Sequence, residues 1–241
     1  MKELLARKPY YKLIYEAFKL AVALCYGSGY DILAAKLAHH DFVKALENGT
    51  LAQENFLFYL KQDYIYLLNY AKCYALLANN AATPAELRFA MRFQNYIVEG
   101  ELALHESILQ MGVRADELGV RSESLVNIAY TRYMQSVASS GDFIDMLVAL
   151  SSCAVGYGFI GREIHARLGE KGLVGHPYES WIHTYSGAEF QREIAEFQAF
   201  VNAYTSAVSE AKFAKLSDIF YTVTRLECAF WQHGLEMKLD L

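Results

Sequence analysis

The segment from Thr50 to Asn80 reads TLAQENFLFYLKQDYIYLLNYAKCYALLANN. Apolar and aromatic residues recur in it at every third or fourth position, the spacing that places them on one broad face of a helix. The residues of this face are Phe56, Tyr59, Leu60, Ile65, Tyr66, Leu67 and Tyr70, with Asp63 among them. The pattern predicts one long amphipathic helix and makes an all-α protein the starting expectation.

Helix signals continue on both sides of this segment. Thr83, Pro84 and Glu86 have the spacing of a capping box, which predicts a helix that runs to about Gln110 and ends at Gly112. Further helices are predicted over residues 123–138 with Ser122 as the cap, and over about 143–168, 177–185, 188–206 and 209–237; residues 8–46 are also helical in pattern. No segment alternates as a strand does. The sequence therefore predicts a single-domain helical bundle over residues 1–241, with eight or nine helices.

Composition and charge exclude several classes of protein. The chain has 241 residues, four cysteines and a formal net charge of −5. A chain of this length can bury roughly 70–75% of its unfolded surface, so its core needs neither a disulfide nor a metal. Without a basic run, nucleic acid is not an expected partner, and no apolar run reaches the length of about 18 residues that predicts a membrane span. The N-terminus lacks a signal-peptide pattern and the cysteines form no CxxC pair, so we expect a cytoplasmic protein with reduced thiols.

Cys153 lies in the glycine-rich sequence LSSCAVGYGFIG. On a helix, Tyr157 follows it one turn later on the same face. Gly156, Gly158 and Gly161 each cost about 1 kcal/mol relative to alanine inside a helix, so their clustering indicates close packing or room for a ligand. Two interpretations remain open, namely a buried core thiol in a glycine-mediated helix contact and a reactive cysteine.

Two acidic residues interrupt predicted apolar helix faces. Asp63 lies among the tyrosines of the long helix, and Glu227 lies in the sequence RLECAFW. A carboxylate that faces a core is costly unless it is paired or hydrogen-bonded. Each acid is therefore either a structural partner of an arginine or a tyrosine hydroxyl, or one of two carboxylates that bind and protonate a nitrogen heterocycle.

Tyrosine is frequent, with 18 residues, and several tyrosines fall on different predicted helices. Tyr130, Tyr133, Tyr157, Tyr178 and Tyr185 are the examples nearest the residues discussed above. Most single tyrosines are core residues with a hydrogen-bonded hydroxyl, but several converging rings would form a slot for a flat ligand.

The seven histidines do not form the ligand pattern of a metal-binding bundle, which needs repeated Glu-x-x-His sets on several helices. The nearest approaches are Glu101 with His105, His39 with His40, and Glu163 with His165 and His183. We therefore expect no metal and no cofactor. His176, directly before Pro177, is predicted to be a turn residue.

Five short motifs follow one another between about residue 40 and residue 237. They are GTL (49–51) with FLFYLKQDYIYL (56–67), AYTRYM (129–134) with Ser140-Gly141, C-x-x-x-Y-x-x-I-G from Cys153, Y-x-x-W-I-x-x-Y from Tyr178 followed by Phe190, and L-E-x-x-F-W from Leu226. Each motif is weak alone, but in this order they resemble the motifs of the TenA/thiaminase II family, over most of the chain.

The resemblance implies the heme-oxygenase-like all-helical fold and a homotetramer. It also implies hydrolysis of a small-molecule aminopyrimidine, 4-amino-5-aminomethyl-2-methylpyrimidine, and of thiamin, to the hydroxymethylpyrimidine. Carried over by motif, Cys153 would be the nucleophile that adds to the ring, Glu227 would exchange protons with the substrate, and Asp63 would bind the aminopyrimidine edge. The residues that would line or order the slot are Tyr66, Tyr130, Tyr157, Tyr185 and Phe230, with Tyr178 as the alternative to Tyr185.

Two features depart from the family pattern. Residues 39–43 read HHDFV where the family commonly has His-Pro-Phe, which we interpret as a local change at a helix start. Residues 1–38 are predicted to be an extra N-terminal helical region. Two other functions remain open: a non-catalytic pyrimidine-binding or regulatory protein, to which a thiol would be of no use, and a metal- or haem-dependent oxidase on the same fold.

Overall fold

The computed structural model describes residues 40–102, 118, 121–205 and 208–240. Eight α-helices form most of this part: α1 (Asp41–Glu47), α2 (Gln53–Asn79), α3 (Pro84–Tyr96), α4 (Leu125–Ser140), α5 (Phe143–Leu173), α6 (Glu179–Ser186), α7 (Ala188–Thr205) and α8 (Glu210–Glu236). No strand occurs within these ranges, so the all-α prediction is confirmed. The predicted N-terminal region 1–38 lies outside the described residues.

Helix α1 begins at the segment that departs from the family pattern. His40 is its N-cap, and the Nδ1 atom of His40 accepts a hydrogen bond from the backbone N–H of Phe42 at 3.2 Å. A histidine nitrogen thus does the work that a serine or aspartate oxygen usually does at this position. The interpretation of this segment as a helix start is confirmed for residues 40–43; His39 lies outside the described residues.

The capping box before α3 forms as predicted. The backbone N–H of Glu86 donates to the Thr83 hydroxyl at 3.2 Å, and the backbone N–H of Thr83 donates to the Glu86 carboxylate at 3.1 Å. Helix α3 then passes into a π-helical turn at Ile97–Glu101. The predicted helix end near Gln110 and Gly112 lies outside the described residues.

The predicted start of α4 was wrong by two residues. The N-cap is Ser124, whose hydroxyl accepts from the backbone N–H of Asn127 at 3.1 Å, and the helix begins at Leu125. Ser122 has another role, because its carbonyl accepts a hydrogen bond from the side chain of Gln62 on α2. Glu123 lies outside the helix and forms a two-pronged pair with Arg132, at 2.8 and 2.9 Å. Hydrogen bonds with residues distant in the sequence therefore determine that Ser124, and not Ser122, is the N-cap.

Helix α5 is long and apolar enough to cross a membrane by length and composition, yet 83% of its most apolar window is buried within the protein. The same combination is found in the core helix of a soluble protein.

Helix α5 is interrupted at Gly169, whose φ of 64° is strained for any residue with a side chain. This interruption agrees with the predicted helix end near residue 168.

The chain divides into two compact units. One contains residues 52–150 and 229–241, and in it α2 packs along α3 and α4. Its core contains the buried residues Tyr59, Tyr70, Tyr74, Met134 and Trp231. The other contains residues 151–228 together with residues 40–51, and in it α6 packs against α7. Its core contains Ile164, Ile182, Phe197, Val201 and Val223.

Candidate functional site

Asp63 is buried in the unit of residues 52–150 and 229–241, with 2% of its surface exposed. The hydroxyl of Tyr59, one turn earlier on α2, donates to Oδ2 of Asp63 at 3.2 Å. The Tyr59 ring stacks on the ring of Trp231, with 5.4 Å between the ring centroids, and lies edge-on to the ring of Phe230, with 6.1 Å between the centroids. Tyr59 is thus the tyrosine partner that a structural role of Asp63 would require. The same hydrogen bond also holds the Asp63 carboxylate among aromatic rings.

Three of the five predicted slot aromatics come together beside the Asp63 helix. The ring of Tyr66 lies 4.9 Å from that of Tyr130 and 5.7 Å from that of Phe230. All three side chains are buried. Together with Tyr59, Asp63 and His233, they are called the Asp63 cluster below. Aromatic residues from α2, α4 and α8 therefore converge around Tyr66.

His233 is a member of this cluster that the sequence reasoning missed. It is 3% exposed, and its ring lies edge-on to Phe230 at 4.7 Å and to Phe58 at 5.4 Å. Its Nδ1 hydrogen-bonds the carbonyl of Phe230, which requires a proton on Nδ1. Among the described residues no group hydrogen-bonds Nε2. Sequence reasoning weighed the histidines only as metal ligands; the signal available was a histidine one turn after Phe230 on an apolar helix face.

Burial lowers the pKa of His233 from 6.5 to about 4. Hydrogen bonds to the carbonyls of Phe230 and Ala229 and the negative charge of Asp63 oppose this shift only in part. The ring is therefore neutral near pH 7, and the carboxylate of Asp63 faces no imidazolium charge from His233.

Cys153 lies in the other unit, on α5, and is a buried, reduced thiol. One turn later, Tyr157 contacts two rings from α6, that of Tyr185 at 4.8 Å and that of Trp181 at 6.0 Å. Tyr157, Trp181 and Tyr185 are called the Tyr157 cluster below. Cys73, by contrast, is fully buried on α2, and burial raises the pKa of its thiol to about 12. A thiol with such a pKa is a structural residue rather than a nucleophile.

The glycines after Cys153 serve close helix packing. A Cβ atom added to Gly161 would lie 2.6 Å from the carbonyl carbon of Tyr185, and one added to Gly158 would lie 3.0 Å from Ile194. The side-chain amide of Gln191 donates hydrogen bonds to the carbonyls of Gly158 and Tyr185, both at 2.7 Å, and so links α5 to α6 at this contact. The packing interpretation of Gly158 and Gly161 is therefore supported.

Tyr178 and Tyr185 differ in what their side chains do. The Tyr178 hydroxyl donates to the carbonyl of Leu51 at 2.5 Å, and burial raises its pKa. Its neighbour His176 contacts the carbonyl of Glu47 through Nε2 at 3.0 Å, and its Nδ1 accepts from the N–H of Tyr178. The backbone carbonyl of His176 accepts from the N–H of Glu179 at 3.1 Å, a turn hydrogen bond that confirms the predicted turn role. Tyr178 fastens the loop after α1, whereas Tyr185 packs on Tyr157.

Glu227 is buried on α8 and belongs to the same unit as Cys153, Tyr157 and Tyr185. The predicted site residues are therefore divided: Asp63, Tyr66, Tyr130 and Phe230 are in one unit, and Cys153, Tyr157, Tyr185 and Glu227 are in the other.

No group of three or more metal-ligating side chains occurs within the described ranges. His165 pairs with Glu170 at 3.0 Å, and His183 approaches Glu179 at 3.7 Å. His39 and His105 lie outside the described residues.

A family model described as the TENA/THI-4/PQQC family matches residues 30–237. The chain belongs to the TENA/THI-4/PQQC family. Two curated members with a stated activity are aminopyrimidine aminohydrolases. The one from Halalkalibacterium halodurans is 32% identical over 83% of this chain and 89% of its own length. The one from Helicobacter pylori is 32% identical over 80% of this chain and 88% of its own length.

The fold of this TENA/THI-4/PQQC member also matches a solved structure. A TenA family transcription regulator from Silicibacter sp. TM1040 superimposes with a TM-score of 0.76 at 31% identity. The match covers 93% of this chain and 98% of the other. The helical architecture is therefore the one that the family shares.

Proposed function

We propose that this chain is an aminopyrimidine aminohydrolase of thiamin salvage. The observation that carries the proposal is its match to two aminopyrimidine aminohydrolases, each at 32% identity over at least 80% of this chain. The family motifs supply a thiol, two buried acids and aromatic rings, which are the groups that the reaction needs. The substrates are the aminomethylpyrimidine and thiamin, which share the pyrimidine half and differ in the leaving group.

Asp63 is proposed to bind the amino edge of the ring. An ionised carboxylate accepts hydrogen bonds from an amino group, and a charge-assisted bond of this kind contributes roughly 1.5–3 kcal/mol. The Tyr59 hydroxyl occupies Oδ2 and orients the carboxylate. The buried rings of Tyr66, Tyr130 and Phe230 are suited to stack on a flat heterocycle.

Cys153 is proposed to be the nucleophile. Its thiolate adds to the pyrimidine ring, and the electron-rich adduct expels ammonia, or the thiazole of thiamin, from the exocyclic carbon. Water then adds to the resulting methylene and supplies the product's hydroxyl oxygen, and the thiolate leaves the ring. Covalent catalysis divides one difficult displacement into easier steps.

Glu227 is proposed to exchange protons with the substrate, protonating the departing amine and accepting a proton from the incoming water. Proton transfer by a positioned carboxyl group contributes about 10²–10⁴ in rate. Tyr157 and Tyr185 are proposed to order the slot. Within this proposal the enzyme is cytoplasmic, is a homotetramer of single-domain chains that include residues 1–38, and uses neither metal nor cofactor.

A pyrimidine-binding regulator is the second candidate, because the matched Silicibacter protein is described as a transcription regulator. The two functions differ in turnover. Purified protein is incubated with the aminomethylpyrimidine and, separately, with thiamin, and products are resolved by mass. The aminohydrolase produces hydroxymethylpyrimidine over many turnovers, whereas binding without product formation would support the regulator.

A further inference from the structure

Gln62 lies directly before Asp63 on α2 and one turn before Tyr66. It is buried, with 2% of its surface exposed. A buried glutamine is costly unless its amide is hydrogen-bonded, so its partners indicate why a glutamine occupies this position.

Within the described part of the chain, the hydrogen-bond partners of Gln62 lie at the start of α4. Its Nε2 donates to the carbonyl of Ser122 at 2.6 Å, and its Oε1 accepts from the N–H of Ser124, the N-cap, at 2.9 Å. Its own carbonyl accepts from Nδ2 of Asn127, one turn into α4, at 2.8 Å. Both the nitrogen and the oxygen of the Gln62 side-chain amide are therefore hydrogen-bonded to the backbone at the N-terminus of α4.

The helix held in this way carries Tyr130. Asn127 and Tyr130 are one turn apart on α4, as Gln62 and Tyr66 are on α2. The rings of Tyr66 and Tyr130, with centroids 4.9 Å apart, are therefore in contact one helical turn beyond the Gln62–Asn127 hydrogen bond. Farther along the same pair of helices, the Tyr66 hydroxyl donates to the sulfur of Met134 at 3.7 Å. Beyond it, Nε2 of Gln135 donates to Oδ1 of Asn69 at 3.3 Å, in a less buried position.

These bonds fix the register of the two helices. A slide of α4 by one turn, about 5.4 Å, would break all three bonds and leave buried polar groups unpaired. We propose that Gln62 is a positioning residue, which sets Tyr130 on α4 against Asp63 and Tyr66 on α2 and so orders the pyrimidine slot. The inference rests on the proposed function, since the slot is the one that this function requires.

The test compares Gln62→Met with Gln135→Ala in the full chain. Methionine keeps the length and flexibility of glutamine but loses every side-chain hydrogen bond, whereas Gln135→Ala removes a different polar contact between the same helices. Thermal melting reports stability. Calorimetric titration with hydroxymethylpyrimidine reports the dissociation constant and, separately, the fraction of competent sites; turnover is measured on the same preparations.

A misplacement of about 1 Å can cost about 100-fold in rate, so we expect Gln62→Met to lower kcat/KM by about 10- to 100-fold and to weaken product binding. Gln135→Ala should keep both values at the wild-type level. If Gln62→Met lowers only the melting temperature and the fraction of competent sites, its role is structural and the inference is wrong. If wild-type protein neither binds nor converts the pyrimidine, the proposed function fails and the inference fails with it.

Asn127→Ala provides a milder variant in case Gln62→Met does not fold. It removes the hydrogen bond to the Gln62 carbonyl together with the longer, 3.4 Å contact to Oε1 of Gln62. The hydrogen bonds of Gln62 with Ser122 and Ser124 stay in place. The loss of one neutral hydrogen bond corresponds to about a 2- to 10-fold effect, and we expect kcat/KM to fall by that factor. Unchanged kcat/KM in folded Asn127→Ala would overturn the inference.

Discussion

The Asp63 cluster and the Tyr157 cluster are both buried and aromatic, but they are held in different ways. The Asp63 cluster depends on side chains from three helices and on hydrogen bonds made by Tyr59, Gln62 and His233. The Tyr157 cluster depends on the backbone, because Gly161 allows α5 to approach Tyr185 to a distance that no side chain would permit. A cluster positioned by polar side chains is suited to recognise a polar ligand edge. A cluster positioned by backbone contact is suited to hold the helix that carries Cys153, the proposed nucleophile.

The largest effect is expected from the thiol next to the Tyr157 cluster. Cys153→Ser should lower turnover by about 1000-fold or more, the scale seen when a covalent nucleophile is removed. Cys73→Ala and Cys228→Ala are the matched controls and should keep their activity. Steady-state turnover of the aminomethylpyrimidine measures this, and near-normal turnover by Cys153→Ser would rule out covalent catalysis.

Removing Glu227, the proposed proton donor, should have the next largest effect on turnover. Glu227→Gln is expected to lower kcat by about 100- to 10,000-fold, because the amide cannot transfer a proton. Glu123→Gln is the control, since Glu123 is another buried acid whose carboxylate pairs with Arg132. A normal kcat for Glu227→Gln, or an equal loss in both variants, would contradict the assigned role.

The backbone contact of the Tyr157 cluster should be sensitive to a single methyl group. Gly161→Ala places a Cβ atom 2.6 Å from the carbonyl carbon of Tyr185, and overpacking of this kind costs about 1–3 kcal/mol of unfolding free energy. Around Gly100 no described atom lies within 4 Å of an added Cβ, so Gly100→Ala should not destabilise the protein. Urea unfolding compares the two, and equal stability would show that the contact is not tight.

The buried His233 of the Asp63 cluster should have a smaller, pH-dependent effect on the free energy of unfolding. The folded-state pKa of His233, about 4, is below its ordinary value of 6.5, so acid favours the unfolded chain, which binds the proton more readily. Stability from the neutral ring is present above pH 6.5 and is lost as the pH falls towards 4. Between pH 7 and pH 5.5 this amounts to roughly 1 kcal/mol. His233→Phe should remove that part of the pH dependence in unfolding experiments, and an unchanged slope would mean that His233 does not titrate in this way.

Local signals in the sequence predicted much of the helical layout. The capping box of Thr83 and Glu86 formed because both partners lie within one turn. The start of α4 was misplaced because the choice between Ser122 and Ser124 depends on Gln62, about 60 residues earlier. His233 was missed for a similar reason, since its burial and its low pKa arise from the packing of α2 and α8 rather than from its neighbours in the sequence.

The most direct test of the division between the two clusters is a calorimetric titration of hydroxymethylpyrimidine into Asp63→Asn and Cys153→Ser. We expect Asp63→Asn to weaken binding by about 10- to 150-fold, the loss of one charge-assisted hydrogen bond. Cys153→Ser should bind as tightly as the wild type, although it does not turn over. Wild-type affinity in Asp63→Asn, or lost affinity in folded Cys153→Ser, would contradict the assignment of binding to Asp63 and of chemistry to Cys153.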